Sequence, residues 1–251
     1  MKNAPLVFYR IIVLVPFRNV GHYIINCINS IVGQIYNNYE VYLLDDASDD
    51  DTLDILDIDH INIHRIRRKK SIGAMENIYM ALVELPIQDE DILLFIDGDD
   101  YLISDFAFQI INEKYNNGSL ITGGRLINNY GQLYQPFLYS KEEFEHLRVS
   151  KWINPHPKSF KYKLFKAFLK QDATATNLKH ANGKFFTYTS DMALMFPLME
   201  IAGFENIAFI SNILYCYRLH SNNVHANDTK RKQQIDTEKD IRNRVPLKRM
   251  F

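Results

Sequence analysis

Short apolar runs alternate with longer stretches of helical period through the first hundred residues. Ile11-Ile12-Val13-Leu14-Val15, Val41-Tyr42-Leu43-Leu44, Ile61-Asn62-Ile63-His64 and Ile92-Leu93-Leu94-Phe95-Ile96 are four or five residues long and mostly apolar. That pattern predicts strands buried on both faces. Between them, Tyr23 to Val32 and Met75 to Leu85 carry apolar residues at helical spacing, as crossover helices would. A third, shorter helix is predicted from Ser48, with Asp51 three residues later closing a capping box. Strand and helix in alternation argue for an α/β fold built on a mostly parallel sheet.

The regularity decays after residue 100. A helix is predicted from about Ser104 to Tyr115 and a strand at Leu120-Ile121-Thr122, before a Tyr- and Pro-containing stretch from Tyr130 to Pro157. Irregular segments on a rigid scaffold commonly shape a second substrate's pocket. From Asn227 the chain is dense in charge and poor in apolar residues, which predicts a solvated helix or a mobile tail. The expected organisation is one unit over 1–226, with a nucleotide-binding half to about residue 103 and an acceptor half beyond it, followed by a charged segment over 227–251.

Composition narrows the partners. With 251 residues and 47% of them hydrophobic, the chain can bury one sizeable core. A formal charge of −1 with scattered basic residues lacks the footprint of a nucleic-acid binder. Cys27 and Cys216 sit far apart in apolar runs, which gives neither a disulfide framework nor a zinc spacing. Reduced thiols and the absence of a recognisable signal peptide or membrane span predict a cytoplasmic setting, with peripheral contact at a membrane's inner face left open. Nothing in the composition speaks to oligomeric state.

Ligands of an open parallel sheet bind beyond the carboxyl ends of its strands, and here those ends are acidic. The first strand runs into Pro16-Phe17-Arg18-Asn19, the second into Asp45-Asp46-Ala47-Ser48, and the fourth into Asp97-Gly98-Asp99-Asp100. Three carboxylates within four residues repel one another without a cation, and hard oxygen ligands suit Mg²⁺ or Mn²⁺. No Gly-rich phosphate loop follows the first strand, so phosphate charge has to be met by a cation and basic side chains. Taken singly, an acidic residue after a strand is also a common helix cap.

These motifs, in this order from residue 10 to about residue 244, resemble glycosyltransferase family 2. The resemblance implies the GT-A fold, a Rossmann-like central sheet flanked by helices with an irregular acceptor-side half. It also implies inverting transfer from a nucleoside-diphosphate sugar, by default a UDP-sugar, to a hydroxyl of a glycan or glycoconjugate. Pro16, Phe17, Arg18 and Asn19 resemble the family's nucleotide-contacting turn. Asp46 falls on the carboxylate that typically binds the base, and Ala47 replaces the usual Gly, which predicts an altered turn. Gly73 and Asn77 resemble the helix start beside the nucleotide, with Lys70 just upstream. Asp97-Gly98-Asp99-Asp100 is similar to the Asp-x-Asp motif, which implies that Asp97 approaches the ribose and that Asp99 with Asp100 holds the divalent ion.

Further along, Thr189-Ser190-Asp191 resembles the family's catalytic-base motif, which makes Asp191 the expected general base for the acceptor hydroxyl. Ser190 and Asp191 also fit a plain helix cap. Tyr215 to His225 resembles the closing strand and loop, where either His220 or His225 is implied at the metal or diphosphate. The segment from Trp152 is similar to a Trp-x-x-x-His stretch on the acceptor side, which implies acceptor contacts by Trp152 and His156. Two rival readings stand beside this one. A nucleotidyltransferase of related fold would release pyrophosphate rather than nucleoside diphosphate. A non-catalytic carbohydrate-binding module would bind sugar without releasing any nucleotide.

Overall fold

The computed structural model describes residues 5–52, 54–56, 60–134, 139–153, 156–220 and 228–251. Its first strand, β1 (Ile11–Phe17), shows why the apolar runs had to be strands. Successive side chains point to opposite faces. Ile12 and Leu14 therefore join one buried cluster while Ile11, Val13, Val15 and Phe17 join another. The same partition splits β2 (Tyr39–Asp45) and β4 (Ile92–Phe95), so the sheet is covered on both faces.

Parallel pairing links β1 to β2, β2 to β3 (Ile63–Arg67) and β1 to β4, with Leu14 between Tyr42 and Phe95. Helix α1 (Tyr23–Val32) packs on one face through Ile24, Cys27, Ile28 and Ile31. Helix α2 (Ala74–Glu84) packs on the other through Met75, Ile78, Ala81 and Leu82. Both follow the expected helical spacing. The sheet continues past a two-residue β5 (Tyr101–Leu102) and α3 (Ala107–Asn116) into β6 (Ile121–Asn128), with β7 (Leu133–Tyr134) on its edge. After the short α4 (Lys141–Glu145), β8 (Lys158–Lys161) inserts antiparallel between β4 and β6. Helices α5 (Tyr162–Gln171) and α6 (Ser190–Ala202) follow. The long β9 (Ile207–Tyr217) then lies parallel to β6 and antiparallel to β5. The spatial order is β3-β2-β1-β4-β8-β6-β9-β5.

Two expectations shift. β3 begins at Ile63 rather than Ile61, because this edge strand has little to bury; Ile61 is 92% exposed, and charged side chains guard the edge. Residues 48–52 form turns and no helix. The Ser48 Oγ accepts instead from the Asn19 backbone N–H at 3.0 Å, while its hydroxyl donates to Asp45 Oδ1 at 2.6 Å. The segment after 227 contains α7 (Asp228–Arg242), and its Ile241 is fully buried. Among the described residues, no helix is long and apolar enough to cross a membrane.

Candidate active site

The loops after β1 and β2 are stitched to each other. Asn19, in the left-handed region at φ +54°, donates its backbone N–H to Ser48 Oγ at 3.0 Å and its side-chain amide to Asp49 Oδ1 at 2.6 Å. It accepts from the Asp49 backbone N–H in return. Ala47 takes the left-handed conformation that glycine adopts freely, at φ +58°. Phe17, Asp45, Leu56 and Arg67 line a recess of about 190 Å³ beside this turn. Arg18 and Lys70 are exposed, as rim positions would be.

Asp46 is buried and its carboxylate clamps the approach to α2. It accepts from Ser71 Oγ and the Ile72 N–H at 2.7 Å each, and from the Gly73 N–H at 3.0 Å. Gly73 sits at φ +89°, a conformation that L side chains rarely adopt. Asn77 is buried and spans two segments, donating to the Leu44 carbonyl at 3.0 Å and accepting from Arg68 Nε at 2.9 Å. Asp46, Gly73 and Asn77 therefore hold the loop between β3 and α2 against the end of β2.

In the acidic cluster the three carboxylates part company. Asp100 is fully buried. Its Oδ2 accepts from the Tyr215 hydroxyl and its Oδ1 from the Arg218 backbone N–H, each at 2.8 Å. Burial first, then the neighbouring Asp97 and Asp99, push its acid strength down and hold its pKa well above the usual carboxylate range. Asp100, expected beside Asp99 at the metal, is thus turned inward, with both oxygens occupied by the protein. Asp99 faces outward and its Oδ2 lies 2.8 Å from His220 Nε2. Asp97 lies in the cleft with 44% of its side-chain surface accessible. Enclosure by protein is the main cause raising its pKa to about 6, with Asp99 and Asp191 adding and Lys158 opposing.

Gly98 explains the spacing of the cluster. A Cβ there would stand 2.5 Å from Phe17 Cβ and 3.2 Å from Ile24 Cδ1, so only glycine lets the strand end pass over β1. Gly98→Ala is expected to destabilise the fold by about 1–3 kcal/mol through overpacking. Chemical denaturation checks it, and an unchanged midpoint would show that the two loops can move apart freely.

The acceptor-side residues come together across the same cleft, about 370 Å³, lined by Pro16, Asp97, His156, Lys158, Ser190 and Asp191 over an apolar floor of Ile78, Phe95, Leu194 and Met195. Asp191 sits in the first turn of α6 with 37% of its side chain accessible, and its Oδ2 is 3.3 Å from Lys158 Nζ. Burial would raise its pKa, but Lys158, the Met192 backbone and the Trp152 side chain outweigh it, and the group lies below its ordinary value. His156 stacks on Tyr215 at 4.5 Å between ring centroids, with Nε2 3.8 Å from Asp97 Oδ2. Desolvation, then Lys158, lowers its pKa well below the ordinary value, so it is neutral. Trp152 packs edge-on against Phe196 of α6 at 4.9 Å, and its side chain also meets Asp191 in the first turn of the same helix.

Three residues of this site carried no signal that singled them out in the sequence. Lys158 reads as one of several lysines around a short β-rich run. Tyr215 joins the halves of the site through its hydroxyl, accepting from the Asp97 N–H at 3.1 Å while donating to Asp100. The Arg218 guanidinium is stacked between Tyr23 and Tyr101, at 4.7 and 5.1 Å, and donates Nε to the Asp99 carbonyl at 2.8 Å. His225 lies outside the described residues. Among the described residues no three His, Cys, Asp or Glu side chains converge to hold a metal by themselves. The Asp99 carboxylate fits an ion whose other ligands are phosphate oxygens and water, with the His220 imidazole beside it as a further donor.

Comparison with known proteins places this geometry. Over 235 residues the chain is 28% identical to chondroitin synthase of Escherichia coli, covering 89% of this chain and 30% of that protein. It is 24% identical over 227 residues to glycosyltransferase GlyG of Streptococcus pneumoniae, covering 84% and 71%. Among solved structures it resembles S. aureus TarS 1–349 in complex with UDP-GlcNAc, with a TM-score of 0.59, 18% identity, and 85% of this chain and 60% of that chain covered. A mannosyltransferase from Pyrobaculum calidifontis in complex with GDP-Man and Mn²⁺ matches at a TM-score of 0.57 and 16% identity, over 98% of this chain and 68% of that one. These two likenesses show the GT-A fold. The sequence profile of glycosyl transferase family 2 matches residues 12–193, from β1 through the start of α6, and the chain therefore belongs to glycosyl transferase family 2.

Proposed function

We propose that the chain transfers a sugar, with inversion, from a nucleoside-diphosphate sugar to a hydroxyl of a glycan or glycoconjugate acceptor. The observation that carries this reading is one cleft with a carboxylate from each half of the fold on its walls, Asp97 from the end of β4 and Asp191 from the start of α6. The nucleotide takes the turn after β1, from Pro16 to Asn19, and the loop that Asp46, Gly73 and Asn77 hold in place. UDP is the default nucleotide; TarS is seen with UDP-GlcNAc, and the mannosyltransferase with GDP-Man. Asp97 faces the ribose. Asp99, with His220 or His225, holds Mn²⁺ or Mg²⁺, while Asp100 braces the cluster from beneath. The ion supplies Lewis-acid neutralisation of the departing diphosphate. Asp191 takes the acceptor's proton as its oxygen attacks the anomeric carbon. Trp152, Ser190 and neutral His156 flank that acceptor.

A panel of nucleotide sugars, each with Mn²⁺ or Mg²⁺, tests the reading by the product released. One donor is expected to raise the melting temperature in a metal-dependent way and to yield nucleoside diphosphate. Asp99→Asn is expected to weaken that metal-dependent binding at least tenfold, a loss of about 1.4 kcal/mol. Pyrophosphate release would instead mark a nucleotidyltransferase. Metal-independent sugar binding without any nucleotide release would mark a binding module.

A further inference from the structure

Lys158 opens β8, where it pairs with Phe95, two residues before Asp97. Its side chain is only 7% exposed, and its ammonium lies 3.3 Å from Asp191 Oδ2. At that depth the Asp191 carboxylate is the counter-charge the ammonium meets, and the two are desolvated together. Because the ammonium is desolvated, its field is not screened as a surface lysine's would be. The same charge acts on Asp97 across the cleft and on His156 beside it. The groups around Asp191 are thus one fixed cation, one carboxylate, one neutral imidazole and the Trp152 side chain.

We infer that Lys158 is a positioning residue for the acceptor-side base: anchored on the central sheet, its ammonium holds the Asp191 carboxylate ionised and in place at the wall of the cleft. The inference rests on the reading of Asp191 as the base. During transfer the acceptor O–H bond breaks, its oxygen bonds to the anomeric carbon, the bond to the diphosphate breaks, and the proton goes to Asp191. An ammonium at that distance disfavours the protonated acid, so the proton passes on to water at the accessible side of Asp191 and the base is restored for the next turnover. Sheet strands are stiffer than loops, which makes β8 a suitable place for such a cation.

The test is the pH profile of kcat at saturating donor, with donor affinity measured separately at pH 8. Lys158→Met is expected to move the acid limb of kcat upward by about 1–3 pH units. Donor affinity at pH 8 should stay within about threefold, and Lys158→Arg should keep the limb near the parent position because the charge remains. Asp191→Asn runs in parallel. If it transferred at the parent rate, the base reading would fall and this inference with it. If Asp191→Asn were inactive while Lys158→Met left the limb unmoved, Lys158 alone would lose its role. Should Lys158→Met fail to fold, Lys158→Gln, which keeps a polar head without the charge, decides: a limb displaced upward upholds the inference, and a parent-like limb overturns it.

Discussion

Asp191→Asn is expected to bind the donor within about twofold of the parent and to transfer sugar on the order of 10²–10⁴ times more slowly. The amide keeps the size of the carboxylate and can still accept from Lys158 at its 3.3 Å position, so the cleft should keep its shape. What is lost is the ability to take a proton. Donor binding should survive because the donor-side groups, from Asn19 to Asp99, belong to loops at the ends of β1, β2 and β4 and not to α6. Single-turnover transfer together with calorimetric donor binding checks both halves; transfer at the parent rate would remove Asp191 from the mechanism. The sign of the pH dependence follows from the same surroundings. Since Lys158 and the neighbouring donors hold Asp191 below its ordinary value, the base stays ionised through mildly acid solution, and this group limits transfer only below the usual carboxylate range.

Arg148→Ala should be the most damaging change to stability. Arg148 and Glu200 are 6% and 7% exposed, and their second contact, Nη2 to Oε2, is 2.9 Å. The same guanidinium donates to the Ile241 carbonyl at 2.7 Å and to Asn177 Oδ1 at 3.2 Å, while Glu200 Oε2 accepts from the Leu247 N–H at 2.8 Å. The pair thus ties α6 to the end of α7 and to the segment after it. Removing the arginine strands a buried carboxylate, which costs about 3–5 kcal/mol. Chemical denaturation measures it. Replacing both partners by apolar residues should recover most of the loss, because no buried charge is left unpaired. A loss under about 1 kcal/mol in the single variant would mean that water reaches Glu200 and the network does not hold the segment.

The two predictions concern residues of very different legibility. Asp191 stands in a motif that reads from the sequence, an acidic residue at the head of an apolar helix. Arg148 lies in an irregular stretch, and its partners at 177, 200 and 241 are far along the chain. Local pattern carries no information on such pairings. Ser48 makes the same point in miniature: its spacing to Asp51 suits a capping box, yet the hydroxyl is taken by Asp45 and by the Asn19 backbone. A side chain that can serve a local partner serves a distant one when the fold presents it.

By itself the sequence determined the central parallel strands β1, β2 and β4, since a run buried on both faces has to be apolar throughout and is therefore visible. It likewise determined the crossover helices α1 and α2 and the acidic strand ends where ligands of such sheets bind. Only the tertiary structure decided how the three aspartates of Asp97-Gly98-Asp99-Asp100 divide their roles. They are one residue type, crowded together, and the direction of each side chain is set by what β9 brings against them: Tyr215 and Arg218 draw Asp100 inward, and His220 meets Asp99. The tertiary structure also decided that a lysine on β8 stands beside the acceptor-side carboxylate. Pairing of an inserted antiparallel strand is a long-range choice, fixed by burial and hydrogen bonding across the whole sheet and not by the residues of the strand alone.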